Sequence, residues 1–436
     1  MDLIRIVDSK EINKKTLSNY IPRTQVQFED IKKELKKIIN DVRNKGDNAL
    51  LKFTKQFDNI ELDLNELRVT EEEIENAYNH IDETLLESLR YAKKNLIKFN
   101  ELQYSKLGLD LFSVDKGVKI GQIIRPLEAV GLYIPGGKAI YPSTVLMAAS
   151  PAYVAGVEKI IMCSPPQKNK KIAPEILVAA KEFGITDIFK VGGAQAIAAM
   201  AFGTNTIPSV QKVIGPGNKW VNSAKQLLSN IIAIDTPAGP SEILIIADDT
   251  AEYKYVIVDL ISQLEHDPDN IGIIVTNSSR LIEKIKENLE DYVNKSNRKN
   301  IIEKSLKNNS LIIKAVDLEE CIEMSNLIAP EHLEILIKKP HTYLDSIKNA
   351  GAVFIGQYSP VPLGDYCAGT NHILPTGGNA AKYSGLNIYD FIKIIDVLEC
   401  NKEGLQKLSN AAMKIAEFEG LFAHKKAIEE RLKGKK

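Results

Sequence analysis

Gln263 and His266 stand three residues apart in DLISQLEH, about 60 degrees round a helix, so both side chains can address one object. Asp259 lies on the same face, four residues before Gln263. The set reads either as half of a metal site or as a polar helix face. Glutamine is a poor transition-metal ligand, so the metal reading needs His or carboxylate donors from elsewhere. Ala329-Pro330-Glu331-His332 falls at a helix-to-strand junction, where Pro330 blocks helical continuation. Glu331 and His332 there suit a general acid/base pair, or else a surface loop. The stretch Ala352 to Gly378 begins as a short apolar run and becomes a Pro- and Gly-rich segment carrying Asp365, Tyr366, Thr370, Asn371 and His372. Polar groups that dense, after a buried strand, belong where α/β folds bind ligands, beyond the strand's carboxyl end. Near the C-terminus, Glu419 and His424 flank Gly420, which ends one helix and lets His424 begin the next. Pro237-Ala238-Gly239-Pro240-Ser241-Glu242 forms a turn between two larger units, a favoured place for a cleft.

The elements that must hold these residues follow from hydrophobic periodicity. Residues 1–109 read as a helical segment: FEDIKKELKKIINDVRNKGDNALLKF and TEEEIENAYNHIDETLLESLRYAKKNLIKF carry apolar residues at three and four spacing. Thr70 is the expected N-cap of the second, and His80 within it is a surface histidine. Residues 110–238 alternate helices with the strands AVGLYI (129–134), KIIMC (159–163), IFKVG (188–192), QKVIG (211–215) and IIAID (231–235). Residues 239–378 repeat the alternation with EILIIA, IGIIVT, SLIIKAV, HLEILI and AVFIG, separated by helices at 251–266, 279 to about 307, 318–328 and 341–349. Residues 379–436 read as mostly helical and end in the basic tail KGKK. The expected fold is therefore α/β, two successive, incomplete Rossmann-like parallel-sheet units with helical N- and C-terminal segments. Three glycine turns follow strands, at Pro135-Gly136-Gly137, Gly192-Gly193 and Gly215-Pro216-Gly217. None is a full GxGxxG, so glycines alone make a weak case for a dinucleotide.

With 56 basic and 57 acidic residues the net charge is -1, and no global field favours nucleic acid or an anionic membrane. Cys163, Cys321, Cys367 and Cys400 are scattered, as reduced thiols of a cytoplasmic protein would be, rather than a disulfide framework. Neither a leader-like apolar region nor a run of about 18 apolar residues is present.

The motifs GLYIPGG, VGGAQAIAA, IGPGNKWV, TPAGPSE, DLISQLEHDPD, APEHLEI, GDYCAGTNHILPT, SGL and EGLFAH occur in order from about residue 120 to 430. In order and spacing the set resembles the histidinol dehydrogenase family, the enzymes of the final steps of histidine biosynthesis. The resemblance implies one Zn2+ per site held by Gln263, His266, Asp365 and His424, the last from the partner subunit of an intertwined homodimer. It implies that the imidazole and amino nitrogens of L-histidinol complete the metal shell, so zinc acts chiefly as an orienting template. Glu331 and His332 would do the proton chemistry. Ser241, Tyr366, His372 and Glu419 would contact the substrate, and Tyr133, Gln195 and Asn218 would lie in the NAD site.

The implied reaction takes the alcohol to the aldehyde and the hydrated aldehyde to histidine, reducing one NAD in each step. A neutral His332 can take the alcohol proton, and Glu331 can activate water against the aldehyde. Cys367 has no role in this scheme. Zinc needs neutral imidazoles, so metal and activity are expected to fall below about pH 6. Two other readings of the residues are a metal hydrolase using Glu331 and metal-bound water, and a non-catalytic α/β binding protein.

Overall fold

Strands covered on both faces read as unbroken apolar runs, and every residue of the strands Glu242–Ala247 and Ile271–Thr276 is buried. The computed structural model describes residues 3–21, 23, 28–136, 140–236 and 239–433, without the side chains of 28–30. Gly137 of the first glycine turn, Pro237-Ala238 of the inter-unit turn and the last three residues of the basic tail lie outside the described residues.

A six-stranded, wholly parallel sheet runs in the order Arg5–Asp8, Ser310–Lys314, Ile271–Thr276, Glu242–Ala247, His332–Leu336, Ala352–Ile355. Alternation sends Ile243 and Ile245 toward Val256, Leu260 and Ile285, and Leu244 and Ile246 toward Cys321 and Ile328. Each such buried aliphatic side chain contributes about 1.5–3 kcal/mol. A five-stranded parallel sheet has the order Asp187–Lys190, Lys159–Ser164, Ala129–Tyr133, Lys212–Ile214, Ala233–Ile234. Val130 and Leu132 face one core with Leu146, while Tyr133 and Cys163 face another with Ala196 and Met200.

Several elements differ from the sequence reading. The N-terminal segment is not wholly helical, because Arg5–Asp8 forms the edge strand of the six-stranded sheet. A three-stranded antiparallel sheet, Ile392–Cys400 with Val118–Pro126 and Leu109–Asp115, lies outside both parallel sheets, so the C-terminal segment also holds a strand. The expected helix at 341–349 is a 3-10 stretch, Pro340–Ser346. Thr70 does cap the helix Glu71–Ala77, accepting the Glu73 N–H while Glu73 returns to the Thr70 N–H.

Each parallel sheet has one place where strand order reverses, and a crevice opens at the carboxyl ends there. In the six-stranded sheet it falls between Glu242–Ala247 and His332–Leu336. Asp248 occupies it: its N–H donates to the Leu336 carbonyl, and its carboxylate accepts the Lys338 N–H at 3.0 Å and the Thr250 N–H at 2.8 Å. In the five-stranded sheet the reversal flanks Ala129–Tyr133, and the turn beyond the neighbouring strand stays tight. Gly215 there has φ 126, and a Cβ would run into the Tyr133 carbonyl oxygen. Its N–H donates to Asp235 Oδ2 at 2.7 Å and its carbonyl accepts from Lys225 Nζ at 2.9 Å. Lys225 and Asp235 form a buried ion pair beneath the loop.

Candidate active site

A cavity of about 500 Å3 lies between the carboxyl edge of the five-stranded sheet and the amino edge of the six-stranded sheet. Tyr133, Asn218 and Asp235 line it from the first sheet, and Ser241, Gln263, His266, Glu331 and His332 from the second. The loop after Ala352–Ile355 adds Asp365, Tyr366 and His372. These loop residues were expected beyond the carboxyl end of their strand. Instead the loop doubles back: His332, paired with Ala352, opens its strand at the amino edge, and Asp365 lies beside it. Three anchors hold this return. Glu334 Oε1 accepts the Val361 N–H at 2.9 Å, Asn95 donates to the Cys367 carbonyl at 2.9 Å, and Asn371 donates to the Met147 carbonyl at 2.8 Å.

Ala329, at φ 52, ends the helix Leu318–Ile328, and the chain enters the strand with Glu331 and His332 both buried. The backbone of Glu242 holds both. Its N–H donates to Glu331 Oε2 at 2.8 Å, and its carbonyl lies 3.1 Å from His332 Nδ1. A carbonyl only accepts, so Nδ1 carries the proton and Nε2 is left toward Asp365 Oδ1, 3.4 Å away. Burial alone would lower the His332 pKa, but the Glu331 and Asp365 charges outweigh it and lift it to about 9. Burial also pushes Glu331 up to about 8, against the nearby imidazole. Asp365 is partly buried, which opposes ionisation, yet His332, His372 and His266 keep its carboxyl below the usual range. Burial holds His372 neutral: Nδ1–H donates to the Asp365 carbonyl at 2.9 Å, leaving Nε2 to accept from Thr144 at 3.3 Å.

The Glu242 side chain is itself held from outside the sheet. Arg23 forks onto it at 2.9 and 3.0 Å and donates to the Ile328 carbonyl. Burial outweighs the Arg23 charge and raises the Glu242 pKa, so the carboxyl can neutralise when the arginine is lost. Arg23→Ala is therefore expected to cost about 3 kcal/mol, at the low end for a broken buried pair. Urea titration of the purified variant checks this; a loss under about 1 kcal/mol would mean the clamp is idle.

Not every expected residue converges. Asp259 turns away from the cavity to Glu334, and burial lifts the two carboxyls to about 6 and about 8, so the pair retains a proton. Asn218 lines the cavity, but its side-chain oxygen caps the helix Lys219–Leu228 through the Trp220 and Val221 N–H groups, leaving its amide NH2 for a ligand. Gln195 lies beneath the lining, buried, with neither amide atom hydrogen-bonded. Glu419 and His424 lie in a separate hollow of about 720 Å3 on the C-terminal helical pair, away from the cavity of their own chain.

The family model described as histidinol dehydrogenase matches residues 21–432. The chain belongs to the histidinol dehydrogenase family. It is 47% identical over 424 residues to the histidinol dehydrogenase of Methanocaldococcus jannaschii, covering 97% of this chain and 98% of that one. Against the Clostridium acetobutylicum histidinol dehydrogenase it is 44% identical over 433 residues, covering 99% and 100%. The crystal structure of histidinol dehydrogenase from Elizabethkingia anophelis superposes with a TM-score of 0.95 at 39% identity, covering 99% of each chain. Membership makes the chain a dehydrogenase, an oxidoreductase of histidine biosynthesis.

For a histidinol dehydrogenase, several working parts of the cavity carried no sequence signal. Thr144, Asp235 and the backbone of Glu242 act through contacts between distant segments, and Arg23 reaches Glu242 across 219 residues. Only the adjacency of Glu242 to the inter-unit turn hinted at it. No three His, Cys, Asp or Glu side chains gather for a metal among the described residues. Gln263, His266 and the ionised Asp365 share the cavity, and this N and O donor set fits a borderline divalent cation with its shell incomplete. As for the membrane, no described helix is long and apolar enough to cross one.

Proposed function

We propose that this chain is a cytoplasmic, zinc-dependent enzyme that oxidises L-histidinol to L-histidine through the aldehyde, reducing two NAD. The observation that carries it is the meeting in one cavity of Gln263, His266 and Asp365 with the buried Glu331 and His332. Gln263, His266 and Asp365, with His424 of the partner subunit, would hold zinc. Tyr133, Gln195 and Asn218 would hold NAD. These two groups supply what side chains lack: a positive charge that fixes the substrate's imidazole and amino nitrogens, and a hydride acceptor.

His332, its Nδ1–H fixed by the Glu242 carbonyl, takes the alcohol proton at Nε2 as hydride leaves the carbinol carbon. That role needs a neutral imidazole, and engaging Asp365 with a cation weakens one of the two charges that keep it protonated. Glu331, poised near neutral pH, draws a proton from water as it attacks the aldehyde, and His332 serves again for the hydrate. Ser241, Tyr366 and His372 border the substrate, with Glu419 of the partner subunit.

The separate hollow of Glu419 and His424 supports a homodimer with shared sites. So do the apolar side chains left exposed on the antiparallel sheet and C-terminal helices, among them Phe112, Ile394, Leu398, Phe418 and Phe422. Purified protein given zinc, L-histidinol and NAD should form close to two NADH per substrate. Chelation should abolish this and zinc should restore it. No NADH from the zinc-loaded protein would sink the reading.

A further inference from the structure

We infer that the paired carboxyls of Asp259 and Glu334 set the spacing of Asp365 from Gln263 and His266, as positioning residues one layer beneath the metal site. The inference rests on the zinc reading above and names what holds that donor set in place before the metal enters. Gln263 and His266 stand at the carboxyl end of the helix Tyr253–Leu264, and Asp365 in the short helix Val361–Tyr366. Something must tie the two helices to the strand that carries His332.

Strand register fixes where Glu334 points. It lies opposite Ile245 on one side and Phe354 on the other, and such parallel neighbours share a face. That face packs on Val256 and Leu260 of the helix Tyr253–Leu264. Glu334 is two residues inward from His332, and Asp259 is one helical turn back from Gln263, so the two carboxyls sit at a similar depth. The Asp259 and Glu334 side chains bond to each other there. Two carboxyl groups can do so only when one carries a proton. Glu334 Oε1 accepts the Val361 N–H at 2.9 Å, in the first turn of the helix that presents Asp365 one turn later. Glu334 Oε2 is shielded from solvent and no donor group reaches it. A proton shared with Asp259 is what remains to satisfy it. Burial raises both carboxyls, and among the described residues no lysine or arginine opposes this, so the proton stays near neutral pH. One pair thus joins the strand of His332, the helix of Gln263 and His266, and the helix of Asp365. Without its proton, two buried like charges would push helix and strand apart.

The test strips the full-length protein of metal, then measures zinc affinity by competition with a chromophoric chelator and melting of the metal-free form. Glu334→Ala and Asp259→Ala are expected to weaken zinc binding about 10-fold or more. Their NADH formation from L-histidinol should fall at limiting zinc and return at saturating zinc. Glu334→Gln should bind zinc within about threefold of wild type, because its Nε2–H replaces the shared proton and its Oε1 still accepts from Val361. The groups facing Glu334 are Asp259 from the helix, His332 from its own strand, the apolar Ile245 and Phe354 from the flanking strands, and the Val361 peptide. Raised carboxyl pKa values stabilise the fold at low pH, and this is lost as pH rises through about 8. Between about pH 6 and 8 the metal-free wild type should therefore lose melting temperature, and Glu334→Gln should lose less. A pair that only packs would lower the melting temperature of both alanine variants and leave zinc affinity unchanged, which would overturn the inference. A Glu334→Gln protein as weak for zinc as Glu334→Ala would overturn it too. If Glu334→Ala does not fold, Asp259→Ala decides by the same measure, since it keeps the Val361 bond and alters a half-buried helix position. A wild-type protein that binds no zinc would overturn the zinc reading as well.

Discussion

His332→Ala is expected to lower kcat by about 10²- to 10⁴-fold, the usual loss when a positioned acid/base is removed. NAD affinity should change little, because His332 belongs to the six-stranded sheet and the expected cofactor residue Tyr133 to the other. Two features make the effect large. The Glu242 carbonyl fixes the imidazole tautomer, so Nε2 has a defined direction. Burial at 3% exposure also keeps bulk water from replacing it as proton acceptor. The measurement is steady-state NADH formation from L-histidinol with saturating zinc and NAD. A kcat within tenfold of wild type would remove His332 from the proton path.

His424→Ala should be as inactive as His332→Ala when each is purified alone. Co-expressed, the two should recover activity. In a mixed dimer the His424→Ala chain keeps its own His332 and borrows His424 of the partner subunit, so one of two sites is whole. Random pairing makes about half the dimers mixed, and about a quarter of wild-type activity is expected. The geometry behind this is the distance from home of the C-terminal helices: Glu419 and His424 line their own hollow, outside the cavity that holds Gln263, His266 and Asp365. If mixed dimers stay inactive while each variant melts like wild type, the shared site fails.

The parallel sheets were legible because burial on both faces leaves a plain signature, and EILIIA, IGIIVT and AVGLY are strands close to where apolar runs place them. The antiparallel sheet was not. LDLFSVD and IKIIDVLEC alternate polar with apolar residues on partly solvated faces, and their pairing with Val118–Pro126 spans more than 260 residues in one case. Arg5–Asp8 is short, and its burial shows a single fully buried position, too little for a pattern. Within the site, the side chains were legible through motifs such as APEHLEI. What escaped was their support: the Glu242 peptide group, the Arg23 fork and the Glu334 bond to Val361, none of which leaves a local mark. The loop 356–378 was recognised as chemical, but its direction of travel was set by anchors from Asn95 and Met147 that no neighbouring residue announces.

Asp248 closes the crevice of the six-stranded sheet with its own carboxylate and backbone. Of the two places where this architecture could seat a nucleotide, only the one beside Tyr133 opens into the cavity. On the proposed four-electron reading this would set an order of traffic: spent and fresh cofactor would exchange through a single berth while a retained aldehyde occupied the other half of the cavity. Turnover would then follow the relative residence times of cofactor and aldehyde, and raising the concentration of reduced cofactor should stall the cycle at its midpoint rather than at its start.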